Sequence, residues 1–128
     1  MLDHIGFAVT DLARSRAFYE ATLAPLGISV VMEVTAEETG AGGHVGFGDG
    51  GKPYFWISDG KPASGSLHVC LSAPDRASVD AYYGAAMAAG GRDNGPPGIR
   101  PHYHPNYYAA FVLDPDGHNI EAVCHTPA

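Results

Sequence analysis

The sequence has 128 residues, with 7 Lys and Arg against 14 Asp and Glu, a formal net charge of −7, and 45% hydrophobic residues. Size scaling gives about 19,000 Å² of surface for the extended chain and about 6,500 Å² folded, so one self-sufficient core is expected, and two domains are excluded. The acidic balance, without clustered cations, disfavours a nucleic-acid partner and an anionic membrane surface.

The amino-terminal Met1-Leu2-Asp3-His4 has neither a basic n-region nor an apolar h-region, so no secretory signal is expected. A first strand is predicted over 5–9, with Ile5, Phe7 and Val9 on one face and Gly6 and Ala8, beside His4, on the other. Asp11 is a candidate N-cap for the helix that follows, Pro25 predicts an early end or a bend, and Gly27 supplies the stop. Three strands are predicted over 28–34, 44–48 and 54–58, with a hairpin turn at Gly48-Asp49-Gly50-Gly51.

Sliding the sequence on itself by 64 residues superposes His4 on His68, Asp11 on Asp75, Ala17 on Ala81, Phe18-Tyr19 on Tyr82-Tyr83 and Gly27 on Gly91. The second copy therefore repeats the first. A strand carries Val69 and Leu71 on one face and His68, Cys70 and Ser72 on the other. A helix runs from Asp75 to a stop at Gly90, followed by strands near 91–99, 108–114 and 119–124, with a turn at Asp114-Pro115-Asp116-Gly117. The predicted class is α+β, two tandem βαβββ units over 1–60 and 66–128, joined by a Gly-, Pro- and Ser-rich linker near 59–66 within one domain of 1–128. No apolar run approaches the roughly 18 residues of a membrane span. Cys70 and Cys124 lie in apolar runs and read as small buried fillers in a reducing, cytoplasmic compartment.

In both copies the His stands on the face with small neighbours, where there is room for a ligand. Two equivalent first strands related by a pseudo-twofold axis are expected to bring His4 and His68 into one concave face. Glu121 lies inside the apolar strand 119–124, where a carboxylate is costly unless paired or bound to a cation. Two imidazoles and a carboxylate form a set that a divalent transition ion accepts, with open positions for substrate. The position 53 residues after His4, mirroring Glu121 after His68, is Ile57, which cannot ligate, so three protein ligands are expected rather than four. The alternatives are a salt bridge from Glu121 to Arg100, and a cavity that holds water or an organic molecule. The loop from Ile99 to Tyr108 concentrates His, Tyr and Pro. His104 and Tyr107 are its candidate proton-moving groups, and Arg100, Tyr103 and Tyr108, with Trp56 and Phe55, are candidate substrate contacts.

The duplicated unit, the His opening each copy, Phe18-Tyr19 followed by Leu26-Gly27, and Asp-Pro-Asp-Gly-His-Asn-Ile-Glu over 114–121 resemble the vicinal oxygen chelate superfamily. That superfamily includes glyoxalase I, bleomycin-resistance proteins, fosfomycin-resistance transferases and extradiol dioxygenases. The resemblance covers nearly the whole chain, and His4, His68 and Glu121 match its ligand positions. It implies a half-open eight-stranded barrel around a central cleft, and a divalent ion (Fe, Mn, Zn or Ni). It also implies a small substrate with adjacent oxygens, chemistry of lyase, isomerase or dioxygenase type, and a homodimer, in which the barrel closes either within one chain or across the two partners, the ligands then coming from both chains. A metal-free small-molecule binder of the bleomycin-resistance type is the other function it implies. Ile57 departs from the carboxylate that glyoxalase I has in the first half, and Gly6 from a polar residue of the fosfomycin enzymes.

Overall fold

The computed structural model describes residues 1–35, 37, 40 and 42–128. The first unit runs β1 (Ile5–Val9), α1 (Leu12–Leu23), a 3-10 turn (Ala24–Leu26), β2 (Ser29–Val34), β3 (His44–Gly48) and β4 (Phe55–Asp59). The second runs β5 (His68–Ser72), α2 (Arg76–Ala88), β6 (Arg92–Ile99), β7 (Tyr108–Leu113) and β8 (Asn119–Cys124). The two tandem βαβββ units of the α+β class are thus present. Their strands form two four-stranded sheets, ordered β1-β4-β3-β2 and β5-β8-β7-β6, which do not close on each other. In each sheet the first strand pairs parallel with the last, and the other neighbours are antiparallel.

Local chemistry sets the helix ends. The Asp11 carboxylate accepts from the Arg14 amide at 3.1 Å, and the Asp75 carboxylate accepts from the Ser78 amide at 2.7 Å. Each cap satisfies an amide that has no partner inside its helix, which stabilises by about 1 kcal/mol. Pro25 falls in the 3-10 turn, where α1 has already ended, and Gly27 closes it at φ 78°. Gly90, at φ 95°, follows α2 in the same way.

Both helices lie between the sheets. Phe18, Tyr19 and Leu23 of α1 and Val79, Tyr82 and Ala86 of α2 join Val9, Phe47, Phe55, Val112 and Ile120 in one buried cluster. The folded surface is 6583 Å². Polar clasps cross from unit to unit. The Tyr19 hydroxyl donates to Asp114 Oδ2 at 2.5 Å, and the Thr10 amide donates to Asp116 at 3.1 Å. Asp114 is itself buried; its Oδ1 accepts from the amides of Asp116 and His118 in the turn before β8. His118, which follows that turn, is buried with its ring edge-on to Phe7. Because the helix-bearing faces share the interior, the opposite face of each sheet lies outside. Those outer faces carry the candidate functional residues.

Candidate functional site

On the outer face of the second sheet, register places Cys70 of β5 opposite Glu121 of β8, and Glu121 opposite Phe111 of β7. The Glu121 side chain is 1% exposed, although its strand is otherwise apolar. Two groups hold it. Its Oε1 lies 2.8 Å from His68 Nε2, and its Oε2 accepts from the Tyr107 hydroxyl at 2.5 Å. His68 is half exposed, so the cluster opens to solvent on the imidazole side. Burial, and then the bond to Glu121, raise the Tyr107 phenol above its ordinary range, so it remains a proton donor at neutral pH. Cys70 completes this corner. Burial of its thiol, with the nearby Glu121 charge, pushes it up to about 12, although the residue as a whole is exposed. The expectation that Cys70 is a buried filler is therefore corrected. Period-two alternation had put it on the face of His68, and the structure keeps it there beside the carboxylate. Cys124 is buried.

His4 stands on the outer face of the first sheet. Its Nδ1 lies 2.7 Å from Asp3, whose other oxygen is bound by Lys52. The Asp3 contact occupies Nδ1, and Nε2 has no partner among the described residues. His4 borders a hollow of about 740 Å³, lined also by Met32, Val34, His44, Pro53 and Trp56. Among the described residues, all that line the hollow belong to the first unit. Among the described residues of one chain, no group of three or more His, Cys, Asp or Glu side chains is placed to hold a metal ion. His68, Glu121 and Tyr107 come together, and His4 lies on the other sheet. The expected convergence of His4 and His68 does not occur within the chain, because the helices, not the outer faces, meet at the pseudo-twofold interface.

The remaining predicted contacts divide by strand alternation. Trp56 faces the hollow. Phe55 does not; it is 1% exposed and packs on Phe7, Tyr19 and Phe47 in the core, so its assignment to a substrate pocket is corrected. Tyr108 is corrected likewise, since its hydroxyl donates to Asp80 on α2 at 2.6 Å and Arg76 lies over its ring. Tyr107, just before β7, turns its hydroxyl to Glu121, whereas Tyr108 turns its own to Asp80 on α2, so the two phenols serve different faces. Arg100 donates to the carbonyls of Gly98 and Pro96 and lies over Phe111. It does not form the alternative salt bridge to Glu121. His104 accepts the Asn106 amide at Nδ1, which leaves its proton on Nε2. Its ring stands 5.7 Å from that of His125, and Tyr107 lies between His125 and the exposed Tyr103.

The mirror of Glu121 is also corrected. Gly6 pairs with Trp56 as Cys70 pairs with Glu121, so the counterpart of the carboxylate is Trp56. Ile57 points into the core at 0% exposed. Asp3, Lys52, His44 and Gly46 were not singled out from sequence. Period-two register relates only His44 and Gly46, which share the face of β3 that meets Trp56; Asp3 and Lys52 lie outside the strands, where no pattern signals them.

The residues present suit a divalent ion in part. Two ligands at about 2.1 Å from an octahedral ion, at right angles, lie about 3.0 Å apart, close to the 2.8 Å between His68 Nε2 and Glu121 Oε1. A third protein ligand must come from elsewhere.

A chain of two βαβββ units with a buried carboxylate and a histidine paired on the last sheet defines a glyoxalase-type protein. The chain belongs to the Glyoxalase/Bleomycin resistance protein/Dioxygenase superfamily, whose model matches residues 1–122. A glyoxalase/bleomycin resistance protein from Albidiferax ferrireducens T118 is 28% identical over 97% of this chain and 98% of that one, with a TM-score of 0.77. A glyoxalase I mutant from Zea mays is 22% identical, with a TM-score of 0.71; this chain spans 95% of its own length there and only 46% of the maize protein. A mutant of the genomically encoded fosfomycin resistance protein, FosX, from Listeria monocytogenes, in complex with Mn(II) and 1S,2S-dihydroxypropylphosphonic acid, is 20% identical over 98% of this chain and 90% of that one, with a TM-score of 0.71. The last two likenesses show the fold. No curated protein matches the chain. Among the described residues, no helix is long and apolar enough to cross a membrane.

Proposed function

We propose that this chain is a divalent-metal-dependent enzyme that acts on a small substrate with adjacent oxygens, and that its site is completed across a homodimer. One observation carries the reading: Glu121, sealed at 1% exposure in an apolar strand, keeps a histidine at 2.8 Å on an outward face. A buried carboxylate is expensive to fold, and this one has a partner set that suits a cation. The mechanism assigns His68 and Glu121 of one protomer and His4 of the other as protein ligands. Isologous pairing of two copies brings the outer face of the first sheet onto the outer face of the second. That the Listeria relative is described with Mn(II) supports a first-row divalent ion here, Fe, Mn, Zn or Ni. When bound, the ion supplies Lewis acidity to the substrate's oxygens.

The chain's own residues do the rest. Asp3 fixes His4 at Nδ1 and leaves Nε2 for ligation. Tyr107 holds a proton at its hydroxyl against Glu121, a fixed donor at the wall of the site. His104, with its proton on Nε2, is the second donor at the mouth. Arg100 and Tyr103 border the entrance and meet an anionic or polar edge of the substrate, and Trp56 forms an apolar wall. Such a donor set suits chemistry of lyase, isomerase or dioxygenase type. The proposal includes one glyoxalase-like domain over 1–128 and a cytoplasmic location, which the two unpaired cysteines support.

A second reading, a metal-free binder of the bleomycin-resistance type, is favoured by the apolar hollow at Trp56. Elemental analysis of protein purified without chelator separates the two. The enzyme reading expects one transition ion per chain, lost in His68→Ala. A metal-free protein that gains no thermal stability from added Mn, Fe, Zn or Ni overturns it.

A further inference from the structure

We propose that the hollow on the first sheet receives a flat aromatic ring, of one or two fused rings, stacked on Trp56. The inference rests on the reading that this face is the inner wall of the site; it does not rest on the ion. Pseudo-symmetry supplies the first argument. Trp56 occupies the position that Glu121 holds in the second unit, so one half of the duplicated site has a carboxylate and the other an indole. An indole cannot ligate, but it is the best stacking surface among side chains.

The floor supplies the second. Gly46 lies directly opposite Trp56 on β3. A Cβ there would meet Trp56 Cζ2 and Cη2 at 2.9 Å and Pro53 Cβ at 2.8 Å. The six-membered ring of the indole therefore reaches over β3, into space that only glycine leaves open. Gly6 keeps the other side low, since its Cβ would stand 3.3 Å from Trp56 Cβ. Held over β3 and partly exposed, the indole lines the hollow and is the aromatic surface there on which a ring can stack.

The walls supply the third. Met32, Val34 and Pro53 are apolar, and Met32 is 47% exposed, a cost that an apolar guest removes. Methionine is polarisable and adapts to ring edges. The charged residues at the mouth, Asp3 and Lys52, bind each other, so the walls select for shape and apolarity rather than charge. His44 borders the hollow with a buried Nδ1 that has no partner among the described residues. The volume of about 740 Å³ is that of a small-molecule pocket.

Trp56 is the single tryptophan of the chain, so its indole N–H gives one reporter signal in a ¹⁵N–¹H spectrum. The probe is 2-naphthol, which is flat and has no adjacent oxygens, titrated in the presence of EDTA. Cyclohexanol is the puckered control. The expected result is a saturable shift of the indole signal with 2-naphthol and none with cyclohexanol. By calorimetry, binding weakens at least about tenfold in Trp56→Ala and is largely kept in Trp56→Phe. No saturable shift in the folded wild-type protein overturns the proposal, as does equal binding by Trp56→Ala. An indole signal that moves with protein concentration but not with 2-naphthol assigns the hollow to a second copy of the chain and also overturns it. Metal uptake is measured separately, on protein without chelator: binding of 2-naphthol in EDTA by a protein that takes up no metal in that assay sinks the enzyme reading and leaves this one standing.

Discussion

Replacing Glu121 by Met tests whether the buried carboxylate serves the fold or a ligand. Methionine is unbranched and of similar length, so it fills the same space without a cavity. In the wild-type protein two bonds, to His68 and Tyr107, offset a desolvation penalty of several kcal/mol. After substitution the partners are not stranded, because His68 is half exposed and Tyr107 only partly buried, and both rehydrate. Removal of the whole buried ionic group therefore leaves the metal-free protein as stable as wild type or more so, by up to about 2 kcal/mol. Affinity for a divalent ion falls by more than about 100-fold, beyond the loss expected from a group that merely orients a ligand. Urea unfolding in EDTA and calorimetric titration with Mn²⁺ measure the two effects. A loss of more than about 2 kcal/mol in the metal-free protein would show that Glu121 serves the fold, and the reasoning would fail.

Three further outcomes are expected. Tyr19→Phe removes the hydroxyl that donates to Asp114 Oδ2, a buried bond between the units, and costs about 2 kcal/mol in urea unfolding; a cost under about 0.5 kcal/mol contradicts the clasp. Burial raises Tyr19 and Tyr82 well above the ordinary phenol range. The unfolded chain then loses protons above about pH 10 while the folded one keeps them, so stability is complete below that pH and falls above it. The fall is up to about 1.4 kcal/mol per pH unit for each tyrosine, and urea midpoints between pH 9 and 11 should become less pH-dependent in Tyr82→Phe. With its thiol pushed up to about 12, Cys70 is thiolate in roughly one molecule in 10,000 at pH 8, so iodoacetamide modifies it slowly despite its exposure; alkylation at the rate of a free thiol at that pH rules out the assigned surroundings.

The fold was legible because its signals are local. Asp11, Asp75, Gly27 and Gly90 act at the helix ends where their chemistry placed them. Strands β3 and β8 match the predicted spans, and the repeat located both units. The site was legible residue by residue but not as an assembly. His68, Tyr107 and Glu121 meet because β5 and β8 are parallel neighbours and the loop after β6 folds over them, whereas His4 is directed by a different sheet. The repeat offset of 64 residues, valid at His4 and His68, slips by one at the last strands. With a side-chain period of two, that slip exchanges faces and turns Ile57 into Trp56. The same alternation separates Phe55 from Trp56 on β4, and aromatic composition alone obscured it. His118 was hidden for another reason. Its burial against Phe7 is a contact between units, and no local pattern encodes it.

The central claim is that each site takes His4 from one protomer and His68 with Glu121 from its partner. It is tested most directly by mixing two defective variants, His4→Ala and Glu121→Gln, after unfolding and joint refolding. Each alone is expected to bind no stoichiometric ion. Statistical mixing makes half the dimers hybrid, and every hybrid has one intact site, so uptake of about a quarter of an ion per chain is predicted. A mixture that binds no more than the separate variants contradicts the account.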